Sequence, residues 1–320
     1  MSQTLQSPQL QQPQGGMQRI PFPFESYEHP SRPLSAKRLL NCFAEAAPAD
    51  ARSRFALRTV PGLNYRETLG NGPFRVLNTD YVGGFYAVSG SYAYRNQNGT
   101  TSNIGYVGDP VEPTWVPQIV AVSIAISPDY AMICVPPRLY AIAHNSFTLT
   151  PIDTSTFFGG GCNSIAYCDG YFVGTQSGVG NKFFVSALRD PFTWDPLDYA
   201  SADNIVNILR KAITHRGELW LLGASGIEIW YNAGAPDFPF RRRSGGTIPF
   251  GVAPRSVAQI DHSVWWVSYD GSIYRSDNYG LKRISTHAIE AIVESGNPDL
   301  TIGLAYMQEG HAHYCVTLSN

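Results

Sequence analysis

Four acidic residues of this chain could supply the carboxylates needed for acid–base chemistry, and all four lie in or beside short polar turns. Two carboxyl groups that flank a sugar bond can act as general acid and as nucleophile or base in glycoside hydrolysis. The candidates lie in or beside turns between apolar runs: Asp129, Asp169, Glu218 and Asp261. Aspartate is also favoured in such turns by backbone geometry alone. We therefore interpret these acids as turn residues and keep hydrolysis as an alternative.

A fifth carboxylate, Glu228, lies inside an apolar run between Ile227 and Ile229. Strand alternation directs its side chain to the face opposite both isoleucines. Two interpretations stay open: a rim residue that contacts a partner, or a buried carboxylate with a paired base.

Three consecutive arginines, Arg241, Arg242 and Arg243, follow Pro239-Phe240 and form the clearest charge feature of the chain. We expect them in a loop, either on a solvated face or in contact with a phosphate or a neighbouring subunit. A guanidinium group pairs well with carboxylate and phosphate oxygens.

The common catalytic signatures are absent from the sequence. It contains no Gly-x-Ser-x-Gly, no Walker-type loop and no His-Glu-x-x-His. We predict no catalytic residue, no cofactor and no metal site.

The composition limits the partners that the chain can bind through charge. The net charge is -2 and only 15% of the residues are charged. The net charge of the protein therefore does not attract it to nucleic acid or to an anionic membrane. No apolar stretch approaches the ~18 residues of a spanning helix, so we predict no membrane span.

Hairpins that recur along the chain must position these residues. An apolar strand, a short polar turn and a second apolar strand repeat most clearly at Asp169-Gly170, Arg216-Gly217 and Asp261-His262. Weaker copies turn at Gly83-Gly84, Pro128-Asp129 and Glu309-Gly310. The interval is roughly 40 to 48 residues, which is typical of propeller blades. Six turns predict an all-β, six-bladed propeller of four-stranded antiparallel blades.

The two ends of the chain differ from this pattern. The last hairpin, from about Ile302, has two strands where a blade needs four. Either residues 54–78 supply the remainder, or the chain is part of a longer protein. Residues 1–34 are rich in Gln and Pro and predict an extended or disordered arm, which leaves residues 35–320 for the propeller. Within the arm, Phe22 and Phe24 alternate with prolines, and we expect them to anchor it on a neighbouring subunit.

One helix is predicted, over residues 285–293, where Ser285 and Thr286 precede apolar residues at helical spacing. We expect these two side chains to cap it.

An ordered set of short motifs between residues 35 and 295 resembles the packaged-DNA stabilisation, or tail-hub, proteins of short-tailed bacteriophages (podoviruses). The motifs that carry the resemblance include Leu57-Arg58-x-x-Pro61-Gly62-Leu63, Gly72-Pro73-Phe74-Arg75, Tyr86-Ala87-Val88-Ser89-Gly90, Phe184-Val185-Ser186-Ala187-Leu188-Arg189-Asp190 and Gly226-Ile227-Glu228-Ile229-Trp230-Tyr231-Asn232.

The resemblance implies a structural virion protein made in the bacterial host cytoplasm. It implies a ring of six copies below the portal and adaptor, with a tail needle or tailspikes as further partners. Such a ring closes the head, retains the packaged DNA and forms part of the ejection channel. Double-stranded DNA would pass through it without sequence specificity.

Two alternatives to the structural role stay open. One is a propeller glycoside hydrolase, which predicts acidic side chains that converge on the central funnel. The other is a recognition propeller that binds glycan or protein through an exposed aromatic rim, which predicts that Trp230, Trp265 or Trp266 is exposed.

Overall fold

The computed structural model describes residues 27–28, 36–37, 39–47, 50–51, 55–70, 72–108, 121–154, 160–205 and 208–318. The chain divides into two compact units, Met1–Asn64 and Tyr65–Asn320.

The first unit contains two short antiparallel sheets. One pairs β1 (Tyr27–Glu28) with β2 (Ala36–Lys37), and the other pairs β3 (Cys42–Ala46) with β4 (Phe55–Thr59). Most of the predicted arm, including Phe22 and Phe24, lies outside the described residues, so the boundary at residue 35 stays a prediction.

The second unit is a β-propeller of five four-stranded antiparallel blades, each formed by four consecutive strands. The strands of the first blade are β5 (Phe74–Thr79), β6 (Phe85–Ser89), β7 (Tyr92–Gln97) and β8 (Thr100–Tyr106). Those of the second are β9 (Ser123–Ile126), β10 (Tyr130–Val135), β11 (Arg138–Ala143) and β12 (Leu149–Ile152). Those of the third are β13 (Cys162–Cys168), β14 (Tyr171–Gln176), β15 (Lys182–Ser186) and β16 (Trp194–Ser201).

The fourth and fifth blades repeat this order and are followed by a hairpin. The strands of the fourth blade are β17 (Leu209–His215), β18 (Glu218–Gly223), β19 (Ile227–Asn232) and β20 (Phe240–Ile248). Those of the fifth are β21 (Ala258–Ile260), β22 (Ser263–Val267), β23 (Ile273–Asp277) and β24 (Gly280–Arg283). A helix α1 (His287–Glu294) and a 3-10 turn (Pro298–Leu300) lead to the hairpin of β25 (Ile302–Gln308) and β26 (His311–Thr317).

The prediction of six blades is therefore wrong. Counting turns counts hairpins, and the hairpin that turns at Glu309-Gly310 belongs to a sheet of only two strands. Residues 54–78 do not complete it, because Phe74–Thr79 is the first strand of the first blade and Phe55–Thr59 pairs with β3.

The turns themselves are confirmed. Asp169, Arg216, Asp261 and Glu309 adopt the left-handed conformation, with φ of 46°, 55°, 50° and 49°. A tight hairpin turn requires positive φ at its central positions, which aspartate and glycine tolerate best. Asp169 and Asp261 are thus explained by the geometry of the turns they form.

Each pair of successive blades shares a hydrophobic core. Tyr86 and Val88 of the first blade pack with Ile133 of the second. Between the third and fourth blades, the rings of Phe183 and Trp230 meet edge to face at 5.0 Å. Because the second, third and fourth blades each bury both faces in this way, the blades stabilise one another along the series.

Side chains also tie the innermost strands of successive blades together. The hydroxyl oxygens of Ser123 and Ser164 accept hydrogen bonds from the backbone N–H groups of Ile165 (2.9 Å) and Ala212 (3.2 Å). The Asn78 amide donates to the carbonyl oxygen of Ile124 at 2.9 Å. These strands belong to separate sheets, so side chains supply partners that a backbone ladder would otherwise provide.

The predicted helix is confirmed as α1, but the capping differs. Thr286 is the N-cap residue, yet its side chain makes no cap hydrogen bond. Ser285 Oγ instead donates to Glu290 Oε1 at 2.6 Å. Arg283 also donates to Glu290 Oε1, from Nε at 2.6 Å. A buried carboxylate within the first turns, and not a side-chain cap, therefore anchors this helix.

We predict that Ser164→Ala lowers the free energy of unfolding by about 1–3 kcal/mol, because the buried N–H of Ala212 loses this acceptor. Urea unfolding would measure the loss. Ser244→Ala, at an exposed position of β20, is the matched control and should change stability little. An equal effect of the two substitutions would contradict the role given to Ser164.

A second prediction concerns acid. The Arg283 hydrogen bond, helped by Ser285, lowers the pKa of Glu290 from 4.5 to about 2. A carboxylate with a lowered folded-state pKa stabilises the fold above its unfolded pKa, and this contribution is lost as the pH falls from 4.5 toward 2. The stability difference between the wild type and Glu290→Gln should therefore narrow between pH 5 and about pH 2.5 in urea titrations.

Glu294→Gln, at an exposed position on the same helix, is the control for that titration. A stability difference between the wild type and Glu290→Gln that stays constant with pH would contradict the assignment.

Candidate functional site

The site residues predicted from sequence, where described, lie on two adjacent strands of the fourth blade, β19 and β20. Arg241, Arg242 and Arg243 belong to β20, so the prediction of a loop is wrong. The strand begins at the buried Phe240, which pairs with Asn232, and Arg241 and Arg242 continue this ladder. Charged side chains are typical of a strand at the edge of a sheet, because they discourage unwanted pairing.

Glu228 is fully buried. Its Oε1 accepts a hydrogen bond from the backbone N–H of Asn204 at 2.6 Å, and its Oε2 accepts one from Trp230 Nε1 at 2.9 Å. Arg242 Nη1 lies 3.8 Å from Oε1. Of the two interpretations, a buried carboxylate with a paired base describes this geometry. Glu228 thereby fastens the connection from the third blade onto the fourth.

Arg243 lies at the centre of a polar cluster. Its Nε donates to Glu218 Oε1 at 2.5 Å, and its guanidinium faces the rings of Tyr279 at 4.9 Å and Tyr231 at 5.5 Å. The Tyr279 hydroxyl donates to the same Glu218 oxygen at 3.2 Å. Burial, followed by the Glu218 charge, raises the pKa of Tyr279. Glu218 is thus committed to an ion pair and a hydrogen bond.

This cluster lines a pocket of about 490 Å³, which also includes Asp169 and Arg216. Arg216 donates to the Asn278 side chain at 3.2 Å. The pocket offers both charges together with two tyrosine rings, a combination suited to polar contacts with another molecule. Sequence inspection missed Tyr231 and Tyr279, since only the fold brings them beside Arg243.

The arginines next to this cluster are more open to solvent. Arg241 is exposed on β20 opposite Tyr231, and the side chain of Arg242 is 46% exposed. Contact of Phe22, Phe24, Glu228 or the three arginines with a partner or another subunit stays a prediction.

A second cavity, of about 630 Å³, lies among the innermost strands of the blades. Lys211 is the one charged side chain among the described residues that line it. Its Nζ donates to the carbonyl oxygen of Pro254 at 3.1 Å. The converging acids expected of a glycosidase funnel do not appear among these described lining residues. Sequence inspection missed Lys211, which follows Arg210 on the inner strand β17.

The tryptophans expected at an aromatic recognition rim are mostly inside the protein. Trp266 is 0% exposed and Trp230 is 8% exposed. Trp265 is partly buried, with its ring 5.6 Å from that of Tyr314. The blade-to-blade cores therefore account for Trp230 and Trp266.

Among the described residues, no helix is long and apolar enough to cross a membrane.

Comparison with known proteins finds a matching family. The family model described as bacteriophage P22 Gp10, beta-propeller, matches residues 19–320. A search of the curated proteins finds no match.

Similar solved structures include lyases and a complex. Virginiamycin B lyase from Staphylococcus aureus is 13% identical over 67% of this chain and 70% of its own, with a TM-score of 0.46. A streptogramin B lyase is 11% identical over 69% and 71%, with a TM-score of 0.45. A chain of a nidogen/laminin complex is 14% identical over 68% and 81%, with a TM-score of 0.45.

For the Glu228 site we predict that Glu228→Gln lowers the free energy of unfolding by about 3 kcal/mol, because an amide cannot replace the charge or accept both N–H donors. Arg242→Gln should cost less than Glu228→Gln, because Glu228 keeps both N–H donors, but more than Arg241→Gln, because the buried Glu228 charge loses its guanidinium partner. Arg241→Gln, which replaces the exposed arginine next to Arg242, is the control. Equal losses for Glu228→Gln and Arg241→Gln in urea unfolding would contradict the buried role.

Proposed function

This chain belongs to the family of the bacteriophage P22 Gp10 β-propeller, and we propose that it is the tail hub of a short-tailed phage. Membership makes it a phage structural protein with a propeller fold. In the proposed role, six copies form a ring below the portal and adaptor of the virion. The ring closes the head, retains the packaged DNA and forms part of the ejection channel.

The observation that carries the proposal is the extent of the family match. Residues 19–320 include all five blades, the following hairpin and the strands of the first unit. The ordered motifs in the sequence support the same family independently of the fold.

The geometry is suited to a mechanical role. Successive blades share cores and are tied through their innermost strands, as Ser164 and Ala212 illustrate. Such a unit keeps its shape under load better than one held by loops. It can therefore transmit contact between the head and the tail without rearranging its blades.

The proposal includes no reaction. The positive φ of Asp169 and Asp261 accounts for both residues as turn formers, and Glu218 is paired with Arg243. The role needs binding surfaces, for which the arginines of β20 and the aromatic residues Phe22 and Phe24 are the candidates. Partners in this role are the adaptor, a tail needle or tailspikes, and passing double-stranded DNA bound without sequence specificity. The protein would be made in the bacterial host cytoplasm and end in the virion tail.

The proposal predicts a sixfold ring when the full chain is mixed with its adaptor, observed by native mass spectrometry and negative-stain microscopy. If these residues anchor the arm, Phe22→Ala combined with Phe24→Ala should raise the protein concentration needed for ring assembly at least about tenfold. Gln11→Ala combined with Gln12→Ala is the matched control within the arm and should assemble like the wild type.

Two outcomes separate the parts of the proposal. If the Phe22 and Phe24 variant assembles normally, the proposed arm contact is wrong but the proposed hub role stands. A chain that stays monomeric with its adaptor and cleaves glycans would contradict the hub itself.

A further inference from the structure

The pocket of about 490 Å³ beside Arg243 is built from turns of three successive blades. Asp169 comes from the turn between β13 and β14 of the third blade, and Arg216 from the turn between β17 and β18 of the fourth. Asn278 and Tyr279 form the turn between β23 and β24 of the fifth. Short turns on packed blades therefore hold these polar side chains around one pocket.

The carboxylates and guanidinium groups of the pocket are equal in number. The described lining residues include the acids Asp169 and Glu218 and the bases Arg216 and Arg243. Glu218 and Arg243 pair with each other. An anionic ligand would meet two carboxylates here, and a cationic ligand would meet two guanidinium groups. This balance favours a ligand without net charge.

Hydrogen-bond donors and acceptors in the pocket are still unused. The Asp169 carboxylate and the Tyr231 hydroxyl have no hydrogen-bond partner among the described residues. Arg216 uses Nη1 on Asn278 Oδ1 at 3.2 Å, which leaves further N–H groups of the guanidinium and the N–H groups of the Asn278 amide. A hydroxyl group both donates and accepts, so a ligand rich in hydroxyl groups matches this mixture.

Two tyrosines give the pocket exposed ring surface. Tyr231 is 37% exposed and Tyr279 is 42% exposed. Both rings lie against the Arg243 guanidinium, which Glu218 in turn holds, so they are positioned before any ligand arrives. A tyrosine ring offers an apolar surface with a polar tip and has few rotatable bonds to fix on binding. The C–H face of a sugar ring can pack on such a surface while its hydroxyl groups reach the polar groups around it.

We propose that this pocket binds a neutral carbohydrate, with a sugar ring packed on Tyr279 and sugar hydroxyl groups bonded to Asp169, Arg216 and the Tyr231 hydroxyl. The volume of about 490 Å³ lies in the range of small-ligand sites. The pocket is a binding site and carries out no reaction. It is separate from the proposed hub role, so the failure of either proposal leaves the other standing.

The test is saturation-transfer NMR of the full chain with the methyl glycosides of glucose, galactose, mannose and N-acetylglucosamine. The methyl glycosides of glucuronic acid and glucosamine are the charged probes, one anionic and one cationic. At least one neutral glycoside should bind saturably, and both charged ones should bind at least a few-fold more weakly than the best neutral one. Absence of binding by every neutral glycoside overturns the proposal, as does equal or tighter binding of a charged one.

Variants then locate the site. Tyr279→Ala should weaken binding of the best neutral glycoside at least about tenfold, while Tyr279→Phe keeps the ring and should stay within a few-fold of the wild type. Asp169→Asn should also weaken binding about tenfold, because a bond to a charged group is lost while asparagine tolerates the left-handed turn. Tyr92→Ala, at a tyrosine of β7 that is 44% exposed, is the matched control. Equal binding by wild type and folded Tyr279→Ala overturns the proposal.

A second measurement needs no variant and covers the case in which a variant fails to fold. In the wild-type chain, the best neutral glycoside should shift the backbone N–H signals of Gly170, Gly217 and Tyr279. The signal of Gly99, in a turn of the first blade, should stay unchanged. Shifts that avoid the three pocket turns overturn the proposal. So do shifts of these signals by the adaptor and by none of the glycosides, which would assign the pocket to a protein partner.

Discussion

The innermost strands of the propeller depend on hydrogen bonds that cross from one blade to the next. Each of these strands belongs to its own sheet, so their backbones form no common ladder. Ser123 and Ser164 accept from the N–H groups of the next blade, and the Tyr314 hydroxyl donates back to the Ser256 carbonyl oxygen at 2.6 Å. A buried donor without a partner costs about 1–3 kcal/mol, so small polar side chains at these points hold the blades in register.

The same arrangement places equivalent positions of successive blades at the same end of the central cavity. Arg75 and Arg210 are the second residues of β5 and β17, at the end where these innermost strands begin. The turns at the other end carry acids, such as Asp169 and Asp261, where left-handed backbone is needed. Family membership assigns the protein to phage structure.

The sequence predicted the local features and failed where tertiary structure decides. The turns at Asp169-Gly170 and Arg216-Gly217 were predictable because their chemistry is confined to two residues. The number of blades was not, since a turn marks a hairpin and not the sheet to which it belongs. The sequence predicts a loop for the three arginines after Phe240, but pairing with β19 places them in an edge strand. Strand alternation alone could not show that Glu228 is buried, because the fold brings its partners Asn204 and Trp230 to it.

Hydrogen exchange of single backbone amides is the most direct test of the ties between blades. The N–H groups of Ile165 and Ala212 donate to serine side chains of the preceding blade. If these bonds hold the propeller together, both amides should exchange only when the protein unfolds as a whole, at the rate of the most protected core amides. Exchange as fast as that of amides on the outer strand β20 would contradict this account.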